Sequence, residues 1–102
     1  MLNPTIGAIL RNLREAKCLL LREVAASISI DPTLLSKIER DERMPTREQV
    51  KALSGFYKEE ENTIILAYLS DRLVNELEHE ALAMQAIRLA EDKLKDKAKS
   101  KK

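Results

Sequence analysis

Residues 31–45, DPTLLSKIERDERMP, gather the side chains best suited to chemistry. Thr33, Ser36, Lys37 and Arg40 sit at positions that a helix brings to one face. Hydroxyl, ammonium and guanidinium groups in a row donate hydrogen bonds to oxygen acceptors, so they suit an anionic partner. That chemistry is binding rather than bond breaking. His79 is the sole histidine and stands among glutamates, where a surface position at a helix bend is expected. Cys18 is the sole cysteine and is expected to be a small core or boundary residue. There is no Cys/His cluster to hold zinc, and no Ser/His/Asp or paired-carboxylate arrangement with a His to serve it. No enzyme activity, metal or cofactor is expected.

Such residues act only if a helix is held at a fixed angle behind them. Asp31 is a strong N-cap and Pro32 suits the first helical position, so a third helix is predicted over 32–40. Leu35 and Ile38 point inward; Thr33, Ser36, Lys37 and Arg40 point outward. Asp41 follows, where a positive φ is often needed. A short second helix is predicted over 20–28, with Leu21, Val24, Ala25 and Ile28 as its stripe. The first helix, 4–17, carries Ile6, Leu10 and Leu13, flanked by Ile9. Pro4 is placed in its first turn, and Gly7 implies a close packing contact. The fourth helix, 46–54, opens on a Thr46–Gln49 capping box and ends at Gly55.

From 59 to 96 there is neither Gly nor Pro. A single helix of that length is unusual here, so a turn near Glu78–Glu80 is predicted between a fifth helix (59–77) and a sixth (80–96). Ile65, Leu66, Leu69, Leu73, Leu77, Ala81 and Met84 track one face. The ending KLKDKAKSKK is low-complexity, and 97–102 are expected to be disordered.

Hydrophobic residues are 44% of the 102 and charged residues 34%, enough for one core under a solvated surface. Aromatics are 3%, which argues against stacking platforms for single strands or RNA. The net charge of +1 conceals a strong pattern. Residues 1–58 hold 10 Lys/Arg and 7 Asp/Glu; residues 59–92 hold 2 and 9; residues 93–102 hold 6 and 1. An acidic segment repels phosphate, so a nucleic-acid face belongs to the first part or to the tail. The N-terminus lacks the basic and apolar runs of a signal peptide. No stretch approaches the roughly 20 apolar residues of a membrane span. A cytoplasmic location is expected.

Two short helices joined by a tight link form a helix-turn-helix unit, and residues 20–28, SID and 32–40 have that form. LREVAASISIDPTLLSKIERDERMP resembles the phage-repressor, Cro and xenobiotic-response-element (XRE) type of regulator. Gly7 with Arg11 and Arg14, Val24-Ala25, Ser36-Lys37-Ile38-Glu39-Arg40, Pro45 and the LSGF segment carry the likeness, over roughly residues 5–68. Two positions depart from it. Leu20-Leu21 stand where the family often has Ser/Thr-Gln, whose Gln clamps a phosphate, and Asp41 stands where Gly is usual.

The resemblance implies an all-α fold: a five-helix repressor-like domain (1–68), its helix-turn-helix formed by helices 2 and 3, and a helical extension (69–96). It implies double-stranded DNA contacts at Pro32, Thr33, Leu34, Ser36, Lys37, Arg40 and Arg43. Lys37 would donate to guanine or phosphate, and Thr33 and Leu34 would meet a thymine methyl. Arg14 and Glu39 match a structural ion pair. A net charge of only +3 over residues 1–58 favours paired half-sites, hence a homodimer. Leu69, Leu73, Leu77, Met84, Ile87 and Leu94 are the candidate dimer surface. No small-molecule ligand is expected, since so short a chain has no room for a sensor domain. Two alternatives stand beside this. One is a protein-interaction module, antitoxin- or antirepressor-like, that uses the acidic C-terminal helices; the other is a purely structural helical dimer.

Overall fold

The structure, a computed structural model, describes residues 3–100. The described residues form six α-helices and one 3₁₀ turn, with no strand. The helices are α1 (Ile6–Ala16), α2 (Leu21–Ser27), α3 (Pro32–Glu39), α4 (Arg47–Phe56), α5 (Glu61–Leu77) and α6 (Ala83–Ser100). The chain divides into two compact units between Arg72 and Leu73, within α5.

The first unit is built by two buried apolar residues from each of its first four helices. Ile6 and Leu10 of α1, Val24 and Ala25 of α2, Leu35 and Ile38 of α3, and Val50 and Leu53 of α4 are all buried. Tyr57, Ile64, Ala67 and Tyr68 complete the core. Each large side chain so buried contributes roughly 1.5–3 kcal/mol. That burial, rather than intrinsic propensity, holds a helix as short as the seven-residue α2.

Helices α1, α2 and α3 end in the same way. Cys18, Ser29 and Asp41 have φ of 55°, 60° and 62°, the left-handed region. In each case the reversed residue and its successor donate back to the last turn: Cys18 N to Glu15 O and Leu19 N to Arg14 O; Ser29 N to Ala26 O and Ile30 N to Ala25 O; Asp41 N to Ile38 O and Glu42 N to Lys37 O. These are three Schellman closures, each made without glycine. Cys18 is therefore exposed, not a core or boundary residue as its type suggested.

Gly7 is buried where α1 crosses the end of α3. A Cβ there would lie 3.0 Å from Glu39 O and closer still to Ile38 O and the Asp41 carboxylate. Thr5 caps α1 by accepting from Ala8 N, and donates to Asp41 Oδ2 at 2.7 Å. Asp71 of α5 accepts from Ile6 N at 2.8 Å. Pro4 thus lies ahead of the cap rather than in the first turn, because Thr5 is the N-cap: its hydroxyl takes the free N–H of Ala8, and Asp71 takes that of Ile6.

Helix α4 opens on the Thr46–Gln49 capping box. It does not end at Gly55, which is helical and has open space where a Cβ would be. The helix runs on to Phe56, and the next residue, Tyr57, is buried. The 3₁₀ turn Lys58–Glu60 then precedes α5, which starts at Glu61 rather than at 59. Its inward residues are Ile64, Ala67 and Tyr68, while Leu66 and Leu69 are exposed.

In the second unit the last turn of α5 leads through residues 78–82 into α6, with Glu80 N donating to Leu77 O and Ala83 N to Glu80 O. The sixth helix begins at Ala83 rather than 80 and continues to Ser100. The Lys-rich segment expected to be disordered is therefore helical as far as it is described, to Ser100, since Lys and Ala favour a helix. Residues 101 and 102 lie outside the described residues.

Gly7→Ala is expected to lower unfolding stability by about 2–3 kcal/mol in urea denaturation, because fixed backbone carbonyls cannot yield to the methyl. Ser29→Gly is expected to raise it by about 0.5 kcal/mol in the same assay. There the relief of a left-handed residue outweighs the added freedom of the unfolded chain.

Candidate nucleic-acid interface

The interface is built on α2, its closure and α3. Ile28 caps α2, Ser29 reverses the chain, and Asp31 starts α3 by accepting from Thr33 N at 2.7 Å. Pro32 occupies the first helical position. Leu35 and Ile38 hold the inner face of α3, and their burial turns the opposite face outward.

On that outer face Thr33, Leu34, Lys37 and Arg43 line one shallow depression together with Asp31. Thr33, Lys37 and Arg43 are exposed and Leu34 is half-buried. Pro32 is exposed beside them, and Ser36 is half-buried. Among the described residues no carboxylate lies within ion-pair distance of Lys37 or Arg43. Arg40 differs: its Nη1 lies 3.4 Å from Glu42 Oε2 and its Nε donates to Ser36 O. Both partners of that pair are half exposed, so it is worth under about 1 kcal/mol and gives way readily to a phosphate.

Beneath this face lies a buried ion pair. Arg14 Nε donates to Glu39 Oε2 at 3.0 Å and to Oε1 at 3.2 Å, and Nη2 donates to Oε1 at 3.1 Å. Arg14 Nη1 also donates to Leu19 O at 2.9 Å. The Glu39 side chain is 4% exposed. The bond to Glu39 raises the Arg14 pKa above its ordinary value, against the opposing effect of burial. The pair ties the last turn of α3 and the α1–α2 link to α1. Tyr57 is buried nearby, and its hydroxyl has no hydrogen-bond partner in the structure. Burial, and then the negative charge of Glu39, push its phenol up to about 12, with Arg14 opposing.

Two features escaped the sequence reading. Glu23 accepts from Leu20 N at 2.7 Å and so closes the start of α2 with its own carboxylate. Leu20, which has no capping side chain, is 47% exposed. Arg22 is exposed in the same turn and has no ion pair among the described residues. Its place in the first turn of the first of two paired short helices was the signal available for it. Asp41, which stands in place of a glycine, spends its carboxylate on Thr5.

The candidate dimer residues fall in both units. Leu69 of the first is 39% exposed. In the second, Leu73, Met84 and Leu94 are exposed, and Leu77 and Ile87 are half-buried. Among the described residues no group of His, Cys, Asp and Glu could hold a metal ion, and no helix is long and apolar enough to cross a membrane.

Residues 7–70, more than half of the chain, match a family described as "Helix-turn-helix domain". No curated protein and no solved structure matches the chain.

Tyr57→Phe removes a buried hydroxyl that has no partner and is expected to raise stability by about 1 kcal/mol at neutral pH. The folded-state phenol titrates above its ordinary value of 10, so its stabilising contribution is complete below pH 10 and is lost as pH rises toward 12. Urea denaturation between pH 9 and 12 checks this: stability of the Phe variant is expected to decline less steeply than that of the parent protein.

Proposed function

The chain belongs to the helix-turn-helix domain family, and on that premise we propose that it is a sequence-specific DNA-binding transcriptional regulator of the XRE, phage-repressor type. The observation that carries the reading is the joint lining of one outward depression by Thr33, Leu34, Lys37 and Arg43, above a helix fixed to α1 by a buried ion pair. In this reading α3 enters the major groove. Lys37 donates to guanine O6/N7, and Thr33 and Leu34 meet thymine methyls beside Pro32. Ser36, Arg40 and Arg43 hold phosphates, and Arg22 adds a further phosphate contact at α2. Arg14 and Glu39 act as a structural pair. Residues 1–68 serve as the DNA-binding part and 69–96 as the dimerising extension. The regulator works as a cytoplasmic homodimer on a pseudo-palindromic site, where two modest footprints sum.

A second reading draws on one specific observation. At the start of α2, where the resembled family clamps a phosphate, this chain has an exposed Leu20 and the Glu23 carboxylate. An apolar residue beside a negative charge suits a protein partner. In that reading the helix-turn-helix is a scaffold and the acidic C-terminal helices bind a protein partner, as those of an antitoxin or antirepressor would.

Fluorescence anisotropy with a selected pool of duplexes, at low and moderate salt, separates the two. The DNA reading expects selective binding on the order of 10–100 nM that weakens steeply with salt. It expects a loss of at least about tenfold in the Thr33→Ala/Lys37→Ala variant. A folded protein that shows no selective binding at either salt would overturn it.

A further inference from the structure

The groove between α4 and α5 lies wholly in the first unit and holds a cavity of about 660 Å³. Small-ligand sites span roughly 300–1,000 Å³. Each helix lines the groove at i, i+4 and i+7, the spacing of one helix edge. Arg47, Lys51 and Ser54 come from α4, and Glu61, Ile65 and Tyr68 from α5. Ser54 is 3% exposed, and its hydroxyl makes no hydrogen bond in the structure. Ser27, Ser70 and Ser100 instead donate to carbonyls three or four residues back in their own helices. A buried hydroxyl left unpaired is costly, so the wall of this cavity favours a ligand that pairs with it. The charged side chains are unpaired too. Among the described residues neither Lys51 nor Glu61 lies within ion-pair distance of an opposite charge. Arg47 rests on the Tyr68 ring, 5.9 Å from its centroid. Glu48 lines the same cavity, so the walls carry Arg47 and Lys51 against Glu48 and Glu61. These charges sum to zero, which suits a ligand with one charge of each sign better than a net anion or cation. Gly55 keeps the groove open beside Ser54: a Cβ there meets nothing within 4 Å.

We propose that this groove binds a free amino acid with an apolar side chain. Lys51 and Ser54 donate to its carboxylate, and Glu61 accepts from its ammonium on the opposite edge. Its side chain lies against Val50, Ile65 and Tyr68, toward Arg47. A chain of this length was expected to take no small-molecule ligand, for want of a sensor domain. This site needs none, because two helices of the first unit supply it. No residue of α3 takes part, so the site stands apart from DNA recognition.

Titration of the full chain with L-phenylalanine and with L-leucine, followed by amide NMR, tests this. Saturable shifts are expected at the amides of Ser54, Gly55 and Ile65, with a Kd on the order of 1 mM or below. Phenylpropionate, which lacks the ammonium, and phenethylamine, which lacks the carboxylate, are each expected to bind at least about tenfold more weakly. Gly55→Leu is expected to unfold at no lower a temperature than the parent protein, since the position is helical and open, and to bind at least about tenfold more weakly. Ser54→Ala is expected to raise the unfolding midpoint and yet to weaken binding. No saturable shift with either amino acid, equal binding of the one-charge analogues, or undiminished binding by Gly55→Leu or Ser54→Ala would overturn the site. Duplex binding by the same variants, read by anisotropy without amino acid, is expected to match that of the parent protein, so failure of this site leaves DNA recognition standing.

Discussion

Glu39 carries a charge in the interior, and the bidentate guanidinium of Arg14 makes that tolerable. Breaking such a pair by removing one partner strands the other, at about 3–5 kcal/mol. The pair also has a direction. It runs from the last turn of α1 to the last turn of α3, and its spare N–H holds the carbonyl of Leu19 just before α2 begins. Three elements therefore share one fixed point. Gly7 brings α1 close enough for the contact by lacking a side chain where the helices cross. Thr5 adds a second fastening through Asp41. The angle of α3, and with it everything its outer face presents, is set from below by α1.

The two sides of α3 are physically different tasks. The inner side is apolar and closed, so its geometry is set by packing. The outer side, with Arg43 just past the helix end, leaves Lys37 and Arg43 without a carboxylate partner among the described residues and holds Arg40 only loosely. Charges left unpaired on a rigid support keep their capacity for a partner, because little is lost when water gives way to phosphate. The start of α2 is arranged otherwise. There Glu23 has turned back on its own helix, and the anion-attracting end of that helix is already occupied.

The parts of this arrangement that depend on neighbouring residues were legible in the sequence. Asp31-Pro32 marks the start of α3, and Thr46 with Gln49 marks the start of α4, because caps act over three residues. Gly7 was legible as a cost needing a reason, although the reason lies more than thirty positions away in α3. The closures at Cys18 and Ser29 were not legible, since neither residue type signals a left-handed turn. Gly55 misled for the opposite reason: a glycine is a common stop, but the chain continues in helix to Phe56, next to the buried Tyr57. On α5 two apolar stripes compete. The leucines at 66, 69 and 73 have helical spacing, yet Ile64, Ala67 and Tyr68 hold the core, and periodicity alone cannot rank two faces of one helix. Thr33, Leu34 and Lys37 could be grouped from spacing once α3 was placed; Arg43, past the reversal at Asp41, came only from the resemblance, and Arg22 needed the second helix as well.

Three helix ends closed by non-glycine residues have a bearing on how long the molecule lasts. Each left-handed residue costs roughly 1–2 kcal/mol, so together they draw appreciably on the 5–15 kcal/mol that ordinarily separates folded from unfolded protein. A domain held nearer that margin spends more of its time open to proteolysis. Anything that binds only the folded form moves the balance back in proportion to its occupancy. Whatever engages the folded chain thereby also lowers the fraction of it that is open to attack.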